Sequence, residues 1–81
     1  MAHVNRVCQS IETEDGTLCV DIFRRPDATY GFEEYRRERE DGRGWYPVGF
    51  HAHLTFESES AALAAALAQV AWLAEVCRAS R

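Results

Sequence analysis

Lysine is missing from this chain: all nine basic side chains are arginine, and they are outnumbered by thirteen acidic ones. The arginine-only usage fits the coding bias of a GC-rich genome. The net charge of −4 removes any electrostatic reason to expect phosphate-backbone binding. Cysteines number three, an odd count with no CxxC spacing, which in a reducing compartment predicts three buried thiols rather than a disulfide framework. No basic segment followed by an apolar run opens the chain, and the longest apolar stretch, 61 to 74, is broken by Gln69 and too short for a bilayer. A cytoplasmic protein with no membrane partner is therefore expected. GxSxG, a glycine-rich phosphate loop and HExxH are all lacking, so no enzyme and no cofactor are expected.

What is present is an ordinary globular composition in 81 residues, with 47% hydrophobic and 27% charged residues. That length allows one domain, 1 to 81, with residues 1 to 4 expected to be disordered. So small a core balances its ordering entropy only narrowly, which is why small scaffolds recruit a disulfide, a metal or a second chain.

Residues 17 to 25, TLCVDIFRR, alternate Leu18, Val20 and Ile22 with Cys19, Asp21 and Phe23, the period-two pattern of a half-buried strand. Asp15-Gly16 makes EDGT a hairpin turn from a preceding strand at about 5 to 13. PDAT (26 to 29) is the next turn, with Pro26 supplying its fixed φ. In the third strand, YGFEEYRRE, Tyr30 and Phe32 share a face and Tyr35 falls on the other parity. Either Tyr35 points outward, or a bulge near Glu33-Glu34 returns it inside. After the charged loop REREDGRG, every even position from Tyr46 to Phe56 is apolar (Tyr46, Val48, Phe50, Ala52, Leu54, Phe56), which predicts a fourth, edge strand bent at Gly49.

Ser58 or Ser60 caps the closing helix, with Glu57 and Glu59 at its positive start and Arg78 and Arg81 at its negative end. The expected fold class is α+β: an antiparallel three- or four-stranded meander with one C-terminal helix packed on one face. The strand around CVDIF, the turn RRPDAT, the strand YGFEEY and the serine-capped, alanine-rich helix, spanning 18 to 74, resemble small uncharacterised bacterial domains of the YegP-like kind. This chain has DGRG where those domains carry an Asn-Gly turn. The resemblance implies a three-stranded meander plus helix and no activity.

At about 100° per residue, Leu63, Leu67, Val70, Leu73, Ala74 and Cys77 form one stripe, expected to face the core. Across the helix lie Ala61, Ala65, Ala68, Trp72 and Val76. A helix that is apolar all round is generally buried all round, so this second stripe is expected to form a symmetric homodimer contact centred on Trp72. The chain is accordingly read as a homodimeric interaction or accessory module with an unknown protein partner.

Two constellations offer an alternative, a ligand- or metal-binding module on the outer sheet face. His51 and His53 sit i and i+2 on a strand, where both could reach one zinc ion, with Cys8, Cys19, Asp21 or His3 as a third ligand and Trp45 nearby. Phe23, Arg24, Arg25, Tyr30, Phe32, Tyr35, Arg36, Arg37 and Trp45 would suit a base-stacking platform. They alternate with Glu33, Glu34, Glu38, Glu40 and Asp41, so cross-strand Arg–Glu pairing accounts for them better and nucleic acid is not the expected ligand.

Overall fold

The computed structural model describes residues 4–40 and 42–79, residue 79 by its backbone alone. His3, Asp41 and Arg81 therefore lie outside the described residues, as does most of the segment expected to be disordered; Val4, which belongs to it, is exposed. Strands β1 (Arg6–Glu12), β2 (Leu18–Arg24), β3 (Tyr30–Arg36) and β4 (Tyr46–Pro47) form one antiparallel sheet in that order. Helices α1 (Glu59–Gln69) and α2 (Leu73–Ala79) follow. The fold is the expected α+β meander, with two helices where one was expected.

Each tight turn is made by a carboxylate bonding its own backbone. Asp15 Oδ1 accepts from Thr13 Oγ1 (2.7 Å), Thr17 Oγ1 (2.8 Å) and Thr17 N (3.1 Å), and Gly16 supplies a φ of 73°. The two threonine hydroxyls and the Thr17 amide hold the Asp15 carboxyl down at about 2. Asp27 does the same for Thr29, through N (3.0 Å) and Oγ1 (2.7 Å). Here the left-handed position falls on Ala28, at φ 70°.

Register from Leu18↔Arg36 to Arg24↔Tyr30 is unbroken, so β3 has no bulge and Tyr35 lies opposite Cys19 on the outer face. The bulge sits in β1 instead, between Val7 and Gln9. Val20, Ile22 and Phe32 face the helices and are fully buried with Ala62, Ala66, Val70 and Leu73. On the opposite face Phe23 lies against Gly31, where a Cβ would approach its ring to 2.8 Å; only glycine lets that ring cross the β3 backbone.

The run from Tyr46 to Phe56 is not one strand. After Pro47, the amides of Val48 and Gly49 both reach Glu34 O (2.9 and 3.4 Å), Phe50 turns to φ 56°, and the chain leaves the sheet. It returns at Phe56, which exchanges both backbone bonds with Tyr30 (2.9 Å each). Two charged side chains replace the missing ladder. The buried Glu33 carboxylate accepts from His51 N (3.1 Å), Ala52 N (3.2 Å) and Glu34 N (2.8 Å), while Arg25 donates to the carbonyls of Ala52 and Leu54 (3.0 Å to the latter). The even positions consequently part company: Leu54 and Phe56 pack on the core, and Phe50 is 74% exposed.

Ser58 caps α1, its Oγ accepting from Ala61 N at 3.0 Å. The helix stops at Val70, which is extended (φ −104°, ψ 106°) and buried, and Trp72 Nε1 donates to Glu34 Oε2 on β3 at 2.9 Å. With neither proline nor glycine at the break, tertiary contacts at Val70 and Trp72 override local helix preference. The 100° phase is lost there. Of the stripe expected to face the core, Val70 and Leu73 are buried and Leu63, Leu67 and Cys77 pack half-buried against it, while Ala62 and Ala66, outside that stripe, take the fully buried positions of α1. Of the three cysteines expected to be buried only Cys19 is; Cys8 is exposed and Cys77 half-buried. No helix of the described residues is long and apolar enough to cross a membrane.

Candidate binding surface on the open sheet face

The helices cover one side of the sheet, and the other side carries a small hollow. It is lined by Ser10 and Glu12 of β1, Cys19 and Asp21 of β2, Tyr35 of β3, and Trp45 just before β4, and its volume is about 120 Å³. Strand register brings these groups together, because Ser10 lies opposite Asp21, Glu12 opposite Cys19, and Cys19 opposite Tyr35. Chain separation is large and spatial separation small.

Asp21 Oδ1 accepts from Ser10 Oγ at 2.7 Å and from Cys19 Sγ at 3.3 Å, and the hydroxyl and thiol lie 3.2 Å apart. No imidazole stands between the Ser10 hydroxyl and the carboxylate, so a serine relay is not assembled. Burial, reinforced by the Asp21 and Glu12 charges, pushes the Cys19 thiol up to about 11, leaving a neutral and unreactive sulfur. Burial first, then Asp21 and Glu33, likewise raise the Tyr35 phenol. Both shifts come first from burial, with the neighbouring carboxylates adding to it. Arg37 lies over the Trp45 ring, 4.5 Å from its centroid, with its Nε bonded to Gly16 O at 2.7 Å.

The two histidines of the expected metal pair are differently employed. His51 stacks on Phe32 (centroids 4.9 Å apart) and gives its backbone N–H to Glu33, whereas His53 is exposed. Among the described residues no group of three His, Cys, Asp or Glu is placed to hold a metal ion. Three of the four arginines of the expected platform are also occupied separately: Arg25 by loop carbonyls, Arg36 by Glu38 at 2.7 Å, and Arg37 by Gly16.

Of the residues assigned to a dimer contact, Ala68 is exposed, Ala61 and Val76 are half-buried, and Ala65 and Trp72 pack against the core of their own chain. A different apolar hollow, of about 500 Å³, opens beside α1 and α2 and is lined by Leu67, Ala74, Cys77 and Arg78.

Ser10, the Glu33 and Arg25 clamp, and the pairing of Cys19 with Asp21 as a site were not found by sequence reading. A signal existed in the odd positions of β2: with DG and PDAT as turns, Cys19 and Asp21 must face the Tyr35 side of the sheet. No family model matches the chain, and neither a curated protein nor a solved structure does.

Proposed function

We propose that this chain is a non-catalytic binding module whose recognition surface is the open face of its sheet. The observation that carries this reading is the hollow of Ser10, Glu12, Cys19, Asp21, Tyr35 and Trp45, where two aromatic rings and several polar groups from four parts of the chain converge. Metal binding through His51 and His53 is not part of it, because among the described residues no third ligand accompanies them. The test is a fragment screen by amide NMR. Shifts clustering at Cys19, Asp21, Tyr35 and the Trp45 indole support the reading, and a screen whose hits map elsewhere, or nowhere, overturns it.

The homodimer remains a second reading, favoured by the apolar hollow at Leu67, Ala74 and Cys77. It moves the contact from the Trp72 side of the helical layer to this strip, since Trp72 is engaged by Glu34. Sedimentation equilibrium at high micromolar concentration decides it: a single species of monomer mass ends the proposal.

A further inference from the structure

Resting on the reading of the open face as a binding surface, we infer that the hollow takes the head of a primary alkylammonium, seated between Asp21 and Glu12 with its methylene stem against Tyr35 and Trp45. Both side-chain bonds that Asp21 accepts fall on Oδ1, which leaves Oδ2 without a side-chain partner among the described residues. Neither Asp21 nor Glu12 makes an ion pair among those residues, and Arg37, the cation stacked on Trp45, is not one of the groups lining the hollow. Two carboxylates lining one recess, Asp21 half-buried and Glu12 exposed, repel an anion and attract a cation. The lining is rich in acceptors: Asp21 Oδ2, the Glu12 carboxylate and the lone pairs of Ser10 Oγ. An ammonium offers three donors and needs no acceptor in return.

Size and walls narrow the class further. About 120 Å³ holds a compact head and a short stem. An ammonium is a compact point charge, whereas a guanidinium is a wide planar fork. Tyr35 and Trp45 supply aromatic surface, which attracts a cation and also packs methylenes. Such a head is carried by a free small amine or by a lysine side chain of another protein. Since this chain contains no lysine, no side chain of a second copy can supply the group.

The experiment is an NMR titration of the intact protein with four probes at constant ionic strength: n-butylammonium chloride, Nα-acetyl-lysine amide, n-butanol and sodium butyrate. Saturable shifts at Cys19, Asp21, Tyr35 and the Trp45 indole are expected with the two cations only. Tighter binding of butylammonium points to a free amine, and tighter binding of the lysine amide to a side chain. Asp21→Asn should weaken binding about tenfold. Glu12→Gln, at an exposed position where folding is not at stake, should weaken it about two- to threefold. Equal shifts with butanol or butyrate overturn the cation assignment and leave the binding surface standing. If no cation saturates while screened fragments do map to this face, the inference falls and the broader reading survives; if neither binds, both fall.

Discussion

Ala28 and Phe50 occupy left-handed backbone at φ 70° and 56°, a region in which a Cβ costs about 1–2 kcal/mol. Ala28→Gly should therefore raise stability by about 0.5–1 kcal/mol, net of glycine's greater freedom when unfolded. Phe50→Gly should do the same, since the exposed ring gives up little packing. Urea midpoints check both, and a loss of stability in either variant contradicts the assigned backbone. Glu33 is the opposite case, a buried charge matched on every side by backbone N–H groups. Glu33→Gln places an amide donor against those donors and should cost about 1.5–3 kcal/mol, with faster hydrogen exchange at His51 and Ala52. Cys19 gives a pH signature. Its folded value of about 11 lies above the ordinary 9.0, so its contribution is complete below about pH 9 and is lost as the pH rises through 11. Denaturation midpoints should fall over that window and fall less in Cys19→Ala, while iodoacetamide at neutral pH labels the exposed Cys8 and spares Cys19. Turn residues such as Asp15 and Gly16 were legible one at a time, because their chemistry is local. Glu33 and Arg25 were not, because the loop groups they hold lie eighteen or more residues away, and composition says nothing of which backbone groups a distant loop presents.

Among the elements, β2, β3 and both hairpins could be read from alternation and turn chemistry, since period two on a half-buried face has few other solutions. Two elements were misread for the same reason. Alternation from Tyr46 to Phe56 and helical spacing from 61 to 76 are both necessary signs of regular structure, but neither is sufficient. In the first, Pro47 has no donor, and Glu33 and Arg25 offer the loop better partners than a strand ladder would. In the second, Val70 buried among Phe32 and Leu73, together with the indole bond to Glu34, holds the break open. Trp72→Phe keeps one aromatic ring but removes the indole N–H bond and some packing, so it should cost about 1–2 kcal/mol and lengthen the helical segment. Chemical denaturation measures the first effect, and backbone chemical shifts at 69 to 73 measure the second. Unchanged stability together with unchanged shifts would mean that the indole bond does not shape the break. The outer-face hollow follows from correctly read elements, since it is a product of register: once both hairpins are set, Cys19, Asp21 and Tyr35 have no other face to occupy.

For the whole molecule, the question is which apolar surface a thin core leaves uncovered. The sheet and the alanine side of α1 close on each other, with Ala62 and Ala66 lying where larger side chains were expected, and this displaces Leu63 and Leu67 toward the rim. A rim of half-buried leucines beside Ala74 and Cys77 is a poor surface for water and a reasonable one for a second copy. The proposed dimer then makes two coupled predictions. Because association stabilises only folded chains, the melting temperature should rise with protein concentration in the wild type. Leu67→Glu puts a charge into the contact and should weaken association by about 2 kcal/mol or more while abolishing that concentration dependence. Its cost to the isolated chain should be smaller, since Leu67 is already half in water. Trp72→Phe serves as the control, because its ring stays where its own chain holds it: it should lower the melting temperature at every concentration alike. If Leu67→Glu melts lower in parallel at all concentrations, the leucine rim belongs to this subunit alone and the chain is a monomer.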